Sequence, residues 1–318
     1  MKLIAAKDPY LLLVVSLVRV ATWLSSRRLT LLLVNSIAFL AYRLSRAKRR
    51  LCEKNLVEAF GGDLGKHRMR RIVHSSFRQF WVDTFAVPRS GVSETALQSA
   101  TIRGLEHLRS ALSKGNGAIL WETSYFGRRL LAKQILRQNG FEITQVHADF
   151  HMGGFAGGGT TSWLRQRFVR GFFEDCEKPF VKEILYLRSQ ESLAFTKALT
   201  KRLRENAVIC ISADGRRGHK FVAVPFLGHT VFFPTGIVSL AKLSGAAILP
   251  LFCLQEDNDE STLVIECPIA ITADRDRERG FEKSIQQYAG LLECYVKKYP
   301  QQYRNWHNPS GVRQRTVE

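Results

Sequence analysis

GAILWETSYFGRRLLAK, residues 117 to 133, has the pattern of a buried strand, a tight polar turn and a helix. Residues 118–121 form a short apolar run, the composition of a strand covered on both faces. Thr123 and Ser124 are N-cap types, and Leu130, Leu131, Ile135 and Leu136 continue at helical spacing, so a helix is expected over 126–139. In an open α/β sheet, chemistry collects beyond the carboxyl ends of strands, where helix N-termini direct free N–H groups. Glu122, Ser124, Tyr125, Arg128 and Arg129 fall at such a point. An ordinary strand-to-helix connection carries the same pattern without chemistry.

Outward from this stretch, strand-like and helical runs alternate. Strands are expected at 142–146, 183–187, 207–212, 230–233, 246–252 and 262–267, and helices at 105–114, 192–204 and 236–243. That alternation implies an α/β fold, a mixed and largely parallel sheet flanked by helices. The glycine-rich run at 151–159 (HMGGFAGGG) reads as a lid or substrate-entry loop. Neither a dinucleotide fingerprint nor a phosphate-binding P-loop occurs, and no internal repeat is present. Phe281, Ile285, Tyr288, Leu292 and Tyr295 mark a last helix before a polar tail at 309–318.

The 318 residues carry 47 Lys plus Arg against 28 Asp plus Glu, a net charge of +19 and a pI near 10.0. A hydrophobic content of 45% excludes a disordered chain, and the charge calls for an anionic partner: nucleic acid, an anionic membrane or a phosphorylated substrate. The cysteines form no CxxC pair and several lie in apolar runs, so buried free thiols are expected and a zinc site or disulfide framework is not.

Residues 1–50 stand apart. Two apolar runs, 10–24 and 29–42, are divided by Ser25-Ser26-Arg27-Arg28, and each falls short of the ~20 apolar residues that span a bilayer. They read as a membrane anchor, either one tilted span or a helical pair in the interface. The basic cluster RLSRAKRR at 43–50 reads as contact with anionic lipid on the cytoplasmic side. Two amphipathic helices follow, one through Leu51, Leu56 and Phe60 and one through Val73, Phe77, Phe80 and Trp81. The expected organisation is therefore an anchor at 1–50, a catalytic α/β body at 51–308 and the tail. Nucleic-acid binding would rest on charge alone, with no reader motif and residues 1–50 unexplained.

Six stretches together resemble the lipid A late acyltransferases of the lysophospholipid acyltransferase superfamily. They are RRLCEKNLVEAFGG (49–62), IRGLEHLRSALSKGNGAIL (102–120), SYFG (124–127), ISADGRRGHKFVAVPFLGH (211–229), PTGIVSLAKLSGAAILPLF (234–252) and VKKYPQQYRNWH (296–307). The resemblance implies a glycerolipid acyltransferase-like fold at the cytoplasmic face of a bacterial inner membrane. It implies transfer of an acyl chain from acyl carrier protein or acyl-CoA to a lipid acceptor, with no metal or other cofactor. Acyl carrier proteins are acidic, and the basic surface suits one as it suits anionic lipid.

One departure is sharp. The family's catalytic signature is His, four residues, then Asp or Glu, with Phe-Gly following the His. Aligning Phe126-Gly127 puts Tyr125 in place of the His and Leu130 in place of the acid. None of the eight histidines has an acid five positions later. A poised base contributes ~10²–10⁴-fold, whereas a tyrosine of pKa ~10 is ionised only about one part in a thousand at neutral pH. Tyr125 could act as base only with its pKa lowered by Arg128 and Arg129. Glu122 is the other candidate, as a carboxylate raised by burial. His147, with Asp149, and His219 are alternative bases from neighbouring loops, each equally readable as a structural histidine.

The resemblance makes Asp214 and its loop, SADGRRG at 212–218, part of the acceptor or phosphate site. Arg216 and Arg217 supply bidentate donors, and Arg188, after the strand at 183–187, is a further phosphate or carrier contact. VPFLG at 224–228 lines an acyl groove or belongs to the core. The expected function is membrane-associated acyl transfer to a hydroxyl or amine with a nonstandard active site. The alternative is a catalytically silent homologue that binds acyl lipid, acyl carrier protein or a partner enzyme.

Overall fold

The computed structural model describes residues 8–24, 27–83, 97, 100–148, 168, 171–187, 192–213, 220–256, 260–271 and 277–308. Among the described residues, the helices α1 (Asp8–Leu24), α2 (Arg27–Leu44), α3 (Arg46–Phe60) and α4 (Lys66–Trp81) come first. The layered part follows as β1 (Thr101–Arg103), α5 (Leu105–Leu112), β2 (Ala118–Glu122), α6 (Arg129–Gln138) and β3 (Ile143–Ala148). Next are α7 (Gly171–Glu177), β4 (Glu183–Leu187), α8 (Ser192–Arg204) and β5 (Val208–Ser212). The chain continues through β6 (Phe221–Phe226), β7 (His229–Pro234), α9 (Gly236–Ser244), β8 (Ala247–Gln255), β9 (Ser261–Ile265) and α10 (Arg277–Lys298).

Among the described residues, seven strands form one sheet in the order β1-β9-β8-β2-β5-β3-β4, and β6 and β7 make a separate antiparallel pair. From β8 to β4 every neighbour is parallel, while β9 runs antiparallel to β8 and parallel to β1. The expected mixed, largely parallel sheet is thus present. β2 lies inside it, its Glu122 in register with Ser212 of β5.

Side chains alternate across the sheet. Ala118 and Leu120 face α5 and α6, packing with Leu108, Leu131, Ile135 and Leu136. Ile119 and Trp121 enter the larger core under α9 and α10, where Trp121 stacks on Tyr288 at 3.8 Å. Each fully buried large side chain there contributes roughly 1.5–3 kcal/mol.

Several boundaries differ from those read in the sequence. α6 begins at Arg129, and its N-cap residue Arg128 makes no side-chain cap bond, so Thr123 and Ser124 do not cap it. Thr123 Oγ1 instead accepts from the Tyr125 amide at 3.3 Å. β6 was not expected as a strand; its Val224 and Phe226, with Leu227, are core residues. Cys267 and Cys294 are exposed, while the other four cysteines are buried free thiols.

The first two helices are packed on the body. Val14, Val15, Val34 and Ala38 share a core with Trp81, Val82 and Phe172. Their other faces expose Leu13, Leu17, Val20, Trp23, Leu32, Phe39, Leu40 and Leu44. Among the described residues no single helix is long and apolar enough to cross a membrane; α2 and α3 together meet that measure but are bent by 84°.

Candidate functional site

The turn after β2 is held by the end of the chain. Arg304 Nη1 donates to the Gly127 carbonyl at 2.9 Å and to Asp83 Oδ2 at 2.6 Å, and its Nη2 donates to the Ser124 carbonyl at 3.0 Å. The Arg304 amide donates to the Tyr125 carbonyl at 2.8 Å, and Phe126 bridges to Tyr303. Asn55 of α3 fixes the same segment by donating to the Trp306 carbonyl at 2.7 Å. Gly127 is required here: its φ is +73°, and a Cβ would lie 2.7 Å from the Cys253 carbonyl oxygen of β8. That approach lets the Arg128 amide donate to the same oxygen at 2.8 Å.

On the α6 side of the sheet, a charged network fills the carboxyl edge of β2, β5 and β3. Glu122 Oε1 accepts from Arg129 Nε at 2.9 Å and Nη2 at 2.7 Å, from Lys133 Nζ at 3.3 Å and from Ser212 Oγ at 3.0 Å. Gln145 Nε2 approaches the same oxygen at 3.4 Å. Lys133 also meets Glu177 Oε1 at 3.0 Å, and Glu177 Oε2 pairs with His147 Nε2 at 2.5 Å. Arg129 and Lys133 are four apart on α6, so one helix face delivers both cations.

Burial alone pushes the Glu122 carboxyl up, but Arg129 and Lys133 outweigh it and bring it down to about 2. Burial likewise disfavours the Glu177 carboxylate, yet His147 and Lys133 hold it well below the usual range. Lys133 is pushed down by burial and raised on balance by Glu122 and Glu177. Each carboxylate therefore stays ionised and each cation charged, as a buried charge requires.

This corrects three expectations. Glu122 is not a carboxylate raised toward neutrality; its charge is committed to α6, which makes it a weak proton acceptor. Arg129 is an internal ion-pair partner, with a side chain only 20% exposed, and not a phosphate donor facing solvent. Arg128 turns to Ser261 Oγ at 3.3 Å. Tyr125 is buried in the core on the opposite face of the sheet from the Glu122 network. The structure joins Glu122 to His147 through Lys133 and Glu177. Arg188, Asp214, Arg216, Arg217, His219, Asp149 and the loop at 151–159 lie outside the described residues.

The basic cluster also divides. Arg43, Arg46 and Arg50 are exposed, whereas Arg49 lies over the Tyr42 ring at 4.8 Å and Lys48 over Phe77 at 5.2 Å. Burial pushes the Lys48 ammonium down. Sequence reasoning missed Lys133, Glu177, Gln145 and Arg304. The signal for Lys133 was a lysine inside the apolar run LLAKQIL; Arg304 sat in plain view in YRNWH.

A largely parallel α/β sheet with its polar centre at the strand carboxyl edge, and a turn clamped by the chain's end, defines an α/β protein of the enzyme-like layered class. The chain belongs to the bacterial lipid A biosynthesis acyltransferase family, whose sequence profile matches residues 9–145 and 180–308. A phosphatidylinositol mannoside acyltransferase of Mycobacterium tuberculosis is 31% identical over 179 residues, 56% of this chain and 52% of the relative. The chain thus matches about half the length of that curated relative. The Mycolicibacterium smegmatis protein of the same name is 29% identical over 234 residues, 73% of this chain and 68% of the relative. Among solved structures, the 1-acyl-sn-glycerophosphate (LPA) acyltransferase PlsC of Thermotoga maritima superposes with a TM-score of 0.36 at 11% identity, over 86% of this chain and 98% of that one.

Proposed function

We propose that this protein is a membrane-associated acyltransferase that moves an acyl chain from acyl carrier protein or acyl-CoA to a hydroxyl or amine of a phosphorylated glycolipid, at the cytoplasmic face of a bacterial inner membrane. The observation that carries the proposal is the family match running through both halves of the chain, 9–145 and 180–308, with relatives named for acylating a phosphatidylinositol mannoside. The convergence of SYFG and YRNWH, far apart in sequence, gives that match a physical basis, because each segment's backbone is satisfied by the other.

Membrane association draws on the outward faces of α1 and α2. Trp23 is 84% exposed and Leu44 74%, and exposed Arg28, Arg43, Arg46 and Arg50 lie nearby in sequence. An apolar helix face beside basic residues suits the interface of an anionic bilayer, with an inner face still bound to the body. The interfacial pair is favoured over a tilted span because neither helix is long and apolar enough to cross.

Commitment of Glu122 to Arg129 and Lys133 favours one competing reading, a silent homologue that binds acyl lipid or carrier. The test offers the purified protein palmitoyl-acyl carrier protein or palmitoyl-CoA. Acceptors are phosphatidylinositol mannosides, lipid A precursors, lysophospholipids and amine lipids, read by mass spectrometry. An acylated product supports the enzyme; retained donor or lipid with no product from any pair supports the homologue.

A further inference from the structure

We propose that Cys267, with His107 as its base, is a thiol-modification site that exchanges with low-molecular-weight disulfides. The site is separate from the Glu122 network. β8 runs parallel to β2 and β9 antiparallel to β8, so the carboxyl end of β9 lies at the opposite edge of the sheet from Glu122. Cys267 stands two residues beyond that end. β1 runs parallel to β9, with Arg103 in register with Val264, and so delivers α5 and its His107 to the same edge.

Gly104, between β1 and α5, lets the two segments meet. Its φ is +77°, and a Cβ there would run into the Ile265 carbonyl oxygen and lie 2.9 Å from His107 Nδ1. In the space left by the missing side chain, His107 Nδ1 lies 2.8 Å from the Ile265 oxygen. A carbonyl oxygen can only accept, so Nδ1 carries the proton and the lone pair of the neutral ring is on Nε2. Nε2 lies 3.5 Å from Cys267 Sγ and accepts from the thiol. A nucleophile within hydrogen-bond reach of a base, with that base oriented by a third group, is the arrangement that activates a thiol.

The other cysteines lack this combination. Cys267 is exposed, and so is Pro268 beside it. The adjacent Glu266 carboxylate is turned to the Tyr295 hydroxyl, which donates to it. Burial pushes the Cys52 and Cys253 thiols up to about 12 and raises Cys210 well above its ordinary value, as for inert structural thiols. Cys294 is exposed on α10, and among the described residues no imidazole bonds to it. Its neighbours Lys297 and Lys298 are engaged by Glu293 and by the Tyr299 ring.

In the step this assigns, the Cys267 S–H proton passes to His107 Nε2 as Sγ attacks one sulfur of the disulfide. The new S–S bond forms and the old one breaks, its electron pair going to the departing sulfur. That sulfur takes the proton from the imidazolium and leaves as a thiol. Cys267 is oxidised to a mixed disulfide, and half of the small disulfide is reduced.

The test exposes the full chain in detergent to glutathione disulfide under native conditions and follows each cysteine by mass spectrometry of its peptide. Cys267 is expected to form the mixed disulfide at least about tenfold faster than Cys294. His107→Asn keeps an amide N–H at the position of Nδ1 for the Ile265 carbonyl but brings no base to the sulfur. It is expected to hold the thermal midpoint near wild type and to slow Cys267 to about the rate of Cys294. Equal rates at Cys267 and Cys294 in the wild-type protein overturn the site, a result that needs no variant. A Cys267 rate unchanged by His107→Asn overturns the role of the imidazole and leaves exposure as the cause.

Discussion

The Arg304 guanidinium donates to the main-chain oxygens of Ser124 and Gly127 while ion-paired to Asp83, so the chain's final segment sets the turn that carries Tyr125. The side chains of Arg304 and Asp83 are 8% and 12% exposed, which puts the pair among buried ion pairs whose loss strands a charge. Arg304→Ala should cost about 3–5 kcal/mol of stability, read from urea unfolding. Arg304→Lys keeps the charge but loses the fork that serves three acceptors at once, and should recover only part of that loss.

Gly127→Ala should be more damaging than a surface glycine change. The positive φ already disfavours alanine, and the added Cβ would sit 2.7 Å from the Cys253 carbonyl oxygen. A loss of at least about 1 kcal/mol is expected, because β8 or the turn must shift. Gly115 has a similar φ with nothing near its Cβ position, so Gly115→Ala is the control that isolates the clash.

Acid should loosen the Glu122 network in a defined direction. The Glu122 carboxyl lies lower in the folded protein, about 2, than its ordinary value of 4.5. The unfolded chain therefore binds more protons across that interval. The stabilising contribution is complete above the unfolded value and fades as pH falls through the folded one. Unfolding monitored from pH 6 down to about pH 2 should show this loss, and Glu122→Gln should flatten it. The same substitution should cost about 3–5 kcal/mol at neutral pH, because Arg129 and Lys133 lose their shared carboxylate.

The sequence made the layered part of this network visible but not its pairing. The strand at 183–187 was legible to both ends, because a run such as EILYL between polar segments has few alternatives. Burial of Glu122 was legible too. The sign of its shift was not, since that depends on Arg129 and Lys133 lying seven and eleven residues away on a helix that folds back over the sheet. Glu177 and His147 are separated by 30 residues, and nothing in local spacing joins them. β6 was missed because FVAVPF carries a proline and alternates weakly, and only pairing with β7 and packing on α10 make it a strand.

Docking on lipid is tested by Leu32→Asp with Phe39→Asp, which replace outward side chains that are 63% and 51% exposed. Burying such a side chain contributes about 1.5–3 kcal/mol, so partition onto vesicles containing phosphatidylglycerol should fall at least about tenfold. Because neither residue enters the core shared with Trp81, the thermal midpoint should be unchanged. Vesicle binding that is indifferent to both substitutions would remove the interfacial reading.

Acyl transfer itself is tested most directly by stoichiometry. The purified protein would be mixed with palmitoyl-CoA and a phosphatidylinositol mannoside, and free thiol released would be counted against acylated lipid formed. One acylated lipid for each thiol, with both absent when the acceptor is omitted, is the expected result. Palmitoyl-CoA bound but unconsumed, or thiol released with no acylated lipid, would contradict the assignment of this protein as an acyltransferase.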